Sequence, residues 1–452
     1  MKTRNEQLAN HLDRAGISRG ELARRIKAKA VDYKQPHIAP DTTRIRCWIE
    51  GEKPRAPIPD IIADVFSDHF GYRVTAYDLG FGDRVSADSA LVYDTSFAAT
   101  VRAVAELGRA DVDLDRRKLL AAAPFAAVAG VGPSRDWLMN TLDQEPTAGP
   151  RVRLEDVTAV KSMFETFQRM DIFQGGGSGR LVLAQYMTQH VYPLLRRTHT
   201  EDVRRALCEA AAEQTYLLGW MAYDSGEHGV AQRYLIQALR LAEESKNVAL
   251  GAHVLAGMAD QATLLGDPQE GRRLAQAGRH GLSKAESPAC LADLWCLEAR
   301  ALAKLGDKVA AGRAVVQSEK AFERVRPEKE QAWAEFIDPA YLHGEHAMTF
   351  RDLDEPKLSE GHAMRSIEHA HEQKRARRGA MSQAALAVSY VQRRDVDSAY
   401  AAGLRTLTLA SQVKSTRAVE AVQDLRRRMQ PFGKNRLVAD FNERALAVVQ
   451  AA

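Results

Sequence analysis

The chain has 452 residues, 45% of them hydrophobic and 27% charged, with a formal net charge of +4. That composition supplies ample apolar material for folded cores, ~3 domains on length alone, and it excludes a uniformly basic coat for nucleic acid. The charge is nevertheless uneven: residues 1–58 hold 13 Lys/Arg against 7 Asp/Glu, a surplus of +6 that exceeds the whole chain's.

Helical periodicity dominates from the first residues, and no stretch alternates as a strand would. "NEQLANHLDRAG" predicts a helix with apolar positions Leu8, Ala9 and Leu12, stopped at Gly16. "SRGELARRIKAKA" opens on Ser18 with Glu21 three residues on, a capping-box spacing, and buries Leu22, Ala23 and Ile26. "DTTRIRCWIEG" has an N-cap at Asp41 and a terminating Gly51, and "PDIIADVFSDHFG" follows it. A boundary near residue 82 closes this head.

Residues 83–150 predict an Ala-rich linker or docking segment. Within it "DRRKLLAAAPFAAVAGVG", from Asp115, imitates a twin-arginine export signal, but its apolar run from Leu119 to Val131 is broken by Pro124 and too short for a bilayer. A buried or docking helix is the favoured reading there. The N-terminus has no apolar core for a signal peptide, and the cysteines, Cys47, Cys208, Cys290 and Cys296, are scattered as in a reduced cytoplasmic protein. From Leu154 to about Arg197 two helices are expected on either side of "FQGGGSGR". That glycine run lacks the Lys-Ser/Thr ending of a phosphate loop, so an interhelical loop is favoured over an anion contact through Arg180.

Beyond residue 205 the chain repeats. Leu218, Gly219, Gly226, Ala231, Tyr234, Ala238 and Leu239 fall at tetratricopeptide-repeat offsets, and two weaker copies follow, through Ala259, Gly266, Leu274 and Gly278, then Trp295, Leu302, Gly306 and Ala314. The turn glycines Gly226, Gly266 and Gly306 are evenly spaced. Degenerate units around Ala363–Ala370 and "SYVQRRDVDSAYAAGL" precede a cap from Ala418 to Val449. Stacked units of this kind predict a curved α-solenoid with a concave surface. The expected fold is therefore all-α: an N-terminal helix-turn-helix bundle over residues 1–82, the segment 83–150, and a TPR-like helical repeat domain over 151–452.

On a helical wheel Ile45, Trp48 and Ile49 share one side of the third head helix. Thr43, Arg46 and Cys47 face the other way, with Thr42 and Arg44 at the margins. An apolar back and a front with two guanidinium forks suit a major-groove reader: Arg grips guanine bidentately, and Thr contacts phosphate or a thymine methyl. Lys53 and Arg55, past the helix end, and Ser18 and Arg19, opening the preceding helix, stand where phosphate contacts are expected. The competing reading is a surface helix with solvated arginines.

With these residues in hand, "SRGELARRI" and "TTRIRCWIEGEKPR" resemble the two motif helices of Xre/Cro-type helix-turn-helix domains. Two features depart from the pattern: Arg19 stands where Gln is usual, and the turn "KAKAVDYKQPHIAPD" is long. That long turn, "DLGFG", "QGGGSGRLVLAQYMTQHVYPLLR" and "GWMAYDSGEHGVAQRYLIQALRLA" are similar to a family of actinobacterial regulators. The resemblance implies a cytoplasmic transcriptional regulator that binds a double-stranded DNA operator as a homodimer through a tetratricopeptide-like sensor domain, its effector undefined.

Transferring tetratricopeptide geometry to the three better repeats points Tyr216, Trp220, Tyr223, His253, Asp260, Asp293, Arg300 and Lys304 inward, a set suited to a peptide, small molecule or protein partner. The alternative for Trp220 and Tyr223 is packing between repeats. Five histidines, His343, His346, His362, His369 and His371, crowd into one stretch, where the pairs His343/His346 and His362/His369 have helical-face spacing for a metal. Solvated histidines are the favoured reading, and Cys290 and Cys296 read as structural thiols. The expectation is no metal, no cofactor, no membrane association and no catalytic residues, since no nucleophile–base pair or carboxylate dyad rises above the general charge. A second function class stays open, a protein–protein adaptor with the head as its docking module.

Overall fold

In the computed structural model residues 4–31, 35–55, 57–70, 79, 81, 89–91, 93, 96–113, 152–197, 199–282 and 287–451 are described. Every regular element among them is helical, and none of their helices is long and apolar enough to cross a membrane. The twin-arginine stretch from Asp115 lies outside the described residues. The chain divides into two units, 1–89 and 90–452.

The first unit is built from α1 (Glu6–Ala15), α2 (Arg19–Lys29), α3 (Thr42–Ile49) and α4 (Ile58–Phe70). Local chemistry sets their ends. Gly16 stops α1 at φ +62 and Gly51 follows α3 at φ +98, left-handed values that favour glycine. Ser18 Oγ accepts the Glu21 backbone N–H, and Asp41 accepts that of Arg44 at 2.8 Å. The Glu21 carboxylate turns outward to bond Arg24 and Arg25. Leu8, Leu12, Leu22, Ile26, Ile45, Trp48, Ile61 and Phe66 form one core, and Phe81 meets the Trp48 ring edge-on. Ile38 buries the described part of the long α2–α3 connection in the same core.

The second unit starts with α5 (Phe97–Val112), which packs on two helices far along the chain, α7 (Gly176–Tyr186) and α10 (His228–Ser245). Before α7 comes α6 (Leu154–Gln174), and after it a π-wound stretch Met187–Val191 leads into the short α8 (Tyr192–Leu195). The glycine run does not form the expected loop. Only Gly175 breaks the helix, at φ +87, and Gly176–Gly179 already belong to α7. Nor is Arg180 available for an anion: its guanidinium is buried and bonded to Asp111 and Glu227.

Helix pairs then follow one another: α9 (Glu201–Asp224) with α10, α11 (Val248–Leu264) with α12 (Pro268–Leu282), α13 (Pro288–Lys304) with α14 (Lys308–Phe322), α15 (Pro339–Asp352) with α16 (Pro356–Glu372), and α17 (Ala376–Gln392) with α18 (Val396–Ala410). Helices α19 (Thr416–Met429) and α20 (Arg436–Ala451) complete the unit. The first members of successive pairs also pack on one another, so each pair covers the apolar face that its neighbour leaves open.

Each pair turns on a left-handed residue: Gly226, Gly266, Gly306, Asp354 and Arg394. Their spacing is 40 residues, except for 48 between Gly306 and Asp354. The extra residues sit in the α14–α15 link, which makes two 3-10 turns, Pro327–Lys329 and Ala332–Ala334, and buries Trp333.

The concave side of the second unit is narrowed where its beginning and end meet. Arg377 on α17 bonds Asp171 on α6 at 2.8 Å, Ser415 Oγ donates to Asp224 at 2.8 Å, and the Lys414 N–H donates to the Gln174 carbonyl at 3.0 Å. These contacts close one side of the space between the helices, and the cavities that remain there are partly open to solvent.

Candidate functional site

In the first unit the hydrophobic back of α3 is buried through Ile45, Trp48 and Ile49, which leaves Thr42, Thr43, Arg44 and Arg46 exposed. Cys47 is half-buried, and Lys53 and Arg55 are exposed past the helix end. Acidic neighbours share this front: Arg44 Nη1 lies 2.9 Å from Glu52 and Arg46 Nε 2.9 Å from Glu50. Both are surface pairs, worth ~0–1 kcal/mol, so either guanidinium exchanges its carboxylate for another anion at little cost. Ser18 has its hydroxyl engaged as the α2 cap, and Arg19 is exposed beside it. The amino ends of α2 and α3 approach each other, since a Cβ on Gly20 would stand 3.7 Å from Thr42 Cγ2.

The second unit holds two adjoining, partly open cavities that share Met381 and Arg417. The smaller, about 50 Å³, is aromatic: Phe164, Tyr216, Trp220, His253, Trp333, Phe336 and Tyr341 line it together with Arg375, Arg377 and Arg378. The larger, about 410 Å³, falls in the range of small-molecule sites, ~300–1,000 Å³. Arg300, Lys304, Arg351, Arg427 and Arg428 surround it, with Asp260, Glu420 and Asp424 as the acidic members.

Arg417 stands between the two. Its guanidinium lies over the Tyr223 ring at 4.8 Å and the Trp220 ring at 5.1 Å, with Asp260 at 3.5 Å and the Tyr223 hydroxyl donating to that same carboxylate at 3.0 Å. Behind it Glu345 bonds Arg300 and Arg378. Burial pushes its carboxyl up, but the surrounding guanidiniums prevail and hold it down at about 2. Asp293, which accepts the Tyr341 hydroxyl at 2.8 Å, goes the other way, pushed up by burial to about 8. Asp352 is held low by Arg351 and Lys304 against its burial. Cationic groups therefore outnumber anionic ones around the larger cavity, and most already hold a carboxylate partner.

Residues 8–82 match the family described as the SP15 N-terminal domain. The match begins inside α1, covers α2–α4 and runs just past Phe81, and it leaves the second unit uncovered. No curated protein matches the chain.

Seven of the eight residues expected to point inward line the cavities: Tyr216, Trp220 and His253 the smaller; Tyr223, Asp260, Arg300 and Lys304 the larger. Asp293 stands behind Tyr341. Repeat offsets do not reach Trp333 and Phe336, which lie in the irregular link, or Arg377 and Arg417, which belong to the closing contacts. The only signal for these was the run Arg375, Arg377, Arg378, an unusual density of guanidinium at one helix start.

The solvated reading of the histidine stretch holds for the exposed His371 and the partly exposed His369, and needs correction for the other three. His346 is 1% exposed, and His343, His346 and His362 come together beside Glu319 on α14. His369, the expected partner of His362, instead lies 3.5 Å from Glu372. Cys290 and Cys296 are buried, their thiols pushed well up by burial.

Proposed function

We propose that this protein is a sequence-specific DNA-binding transcriptional regulator, cytoplasmic and homodimeric, whose first unit works as an Xre-type helix-turn-helix and whose TPR-like second unit encloses a small anionic effector. The observation that carries this reading is the exposed front of α3. Thr42, Thr43, Arg44 and Arg46 stand clear of a back formed by three buried side chains, so a major groove meets two guanidinium forks on a rigid mount. The local surplus of basic charge in residues 1–58 supports it. Lys53, Arg55, Ser18 and Arg19 flank that front and would hold phosphates.

For the effector, the larger cavity offers volume, guanidiniums and the Tyr223 ring, with the cation of Arg417 between the aromatic and basic walls. An organic anion with an apolar part fits that chemistry better than a long peptide, because the closing contacts between α6 and α17 narrow the space beside the cavities.

The test is selection of bound fragments from random duplex DNA by the full-length protein, followed by titration of the selected site at several salt concentrations. A regulator making several phosphate contacts loses affinity steeply with salt. Recovery of no enriched sequence sinks the reading. A second reading, an adaptor with the first unit as its docking module, is favoured by one observation, the acidic Glu50 and Glu52 on the front of α3. It expects no DNA binding at any salt.

A further inference from the structure

We propose that Glu319, His343, His346 and His362 form a binding site for a borderline divalent cation of the zinc class, joining three helices of the second unit. One ligand atom from each of the four lies within 4.8 Å of all the others. His343 and His346 are three apart on α15, hence on one face. His362 comes from α16 and Glu319 from α14. The Nδ1 atoms of His343 and His362 are 3.1 Å apart, close to the ~3.3 Å edge of a tetrahedron with 2.0–2.1 Å metal–nitrogen bonds.

The second observation concerns His346. Ser318 Oγ has one proton and donates it to the Ala292 carbonyl at 2.7 Å. Toward His346 Nε2, at 3.2 Å, the hydroxyl must therefore accept, so Nε2 carries the ring proton. Nδ1 is left with its lone pair, buried and without a hydrogen-bond partner. A hydroxyl that fixes the tautomer of a buried histidine in such a group and leaves its other ring nitrogen bare is the kind of second partner that supports a metal-bound imidazole.

Three imidazoles and one carboxylate select a first-row cation of borderline softness. Calcium and magnesium demand oxygen shells, and copper(I) prefers thiolate or thioether. Phe350, stacked on His362 at 5.4 Å, gives the site an apolar wall, and the partial exposure of Glu319, His343 and His362 leaves an entry path. Arg365 is the nearby cation whose charge acts on Glu319, His343 and His362. Since Glu319 and His343 bracket the α14–α15 link that carries Trp333 and Phe336 to the cavity wall, the ion would tie the two ends of that link together.

The experiment uses tag-free, full-length protein stripped with a chelator and titrated with cobalt(II), then with zinc(II). The expected result is the intense visible absorption of tetrahedral cobalt, saturating at one per chain and abolished by zinc. His343→Gln combined with His362→Gln should weaken binding by at least ~100-fold, and Ser318→Ala, outside the ligand set, by ~10–100-fold. Glu319→Gln, at a half-exposed position, reads the same site should the double variant fail to fold. No saturable tetrahedral signal, or one unchanged in a folded His343/His362 or Glu319 variant, overturns the proposal.

Discussion

Arg377 on α17 bonds Asp171 on α6 at 2.8 Å across 206 positions of sequence, and its other amino group reaches Asp224 at 2.7 Å. One guanidinium thus joins the beginning of the second unit to its penultimate helix pair. Burial pushes the Asp171 carboxyl up even with Arg377 beside it, whereas Asp224 is held low by Arg377 and Arg417 against its burial. Removing the cation leaves two buried carboxylates facing each other.

Arg377→Ala is therefore expected to destabilise the second unit by about 3–5 kcal/mol, the usual loss when one partner of a buried pair is deleted. Lys161→Ala, which removes a half-exposed pair with Glu209 at 3.0 Å, should stay within ~1 kcal/mol. Urea denaturation of both variants reads the difference. Equal midpoints would show that the closing contact contributes nothing.

Two glycines separate conformational strain from collision. Gly266 and Gly175 both hold left-handed φ, +90 and +87. A Cβ on Gly266 meets nothing within 4 Å, whereas on Gly175 it would run into the Lys414 carbonyl, a backbone atom that cannot rotate away. Gly266→Ala should cost ~1 kcal/mol and Gly175→Ala several times that. The second variant should also expose the 411–415 connection, read as faster tryptic cleavage at Lys414.

These positions mark where the sequence was legible. Ile45, Trp48 and Ile49 declare themselves by helical spacing, and Gly226, Gly266 and Gly306 by their even interval, because both signals are local. Closure of the second unit has no local signature. Arg377 and Arg417 look like solvated charges until Asp171 and Asp260 arrive from far along the chain. Trp333 and Phe336 sit in the link that breaks the 40-residue interval, so repeat offsets pass over them. The histidines misled for the opposite reason: the spacing of His362 and His369 suggests a pair on one helix, while the actual neighbours of His362 come from α15.

On the proposed DNA-reading face, Arg46→Ala is expected to cost ~1–3 kcal/mol at the selected site and relax base preference there, and Lys53→Ala to weaken every sequence alike. Glu52→Gln releases Arg44 from its 2.9 Å pair and should tighten binding to all sequences a few-fold. Fluorescence anisotropy with selected and scrambled duplexes distinguishes the three. If Glu52→Gln weakens binding, Arg44 needs its carboxylate for orientation and makes no phosphate contact.

His253 lies between Trp333, stacked at 4.6 Å, and Tyr216 at 4.2 Å, fully buried with neither ring nitrogen hydrogen-bonded. Burial lowers it from 6.5 to about 3. Between those two pH values the unfolded chain binds a proton that the folded chain excludes. The contribution of this residue is therefore fully present above pH 6.5 and declines as pH falls toward 3, by up to ~1.4 kcal/mol per unit. His253→Phe keeps an aromatic ring between Trp333 and Tyr216 and has no proton to take up. Its stability should match or exceed the parent's at pH 7 and fall less steeply below pH 6, since every other titrating group is common to both chains. Urea midpoints at pH 5 and pH 7 measure the difference in slope. Parallel slopes would mean that His253 gains a hydrogen-bond partner in solution and is not the buried, neutral ring of the aromatic cavity.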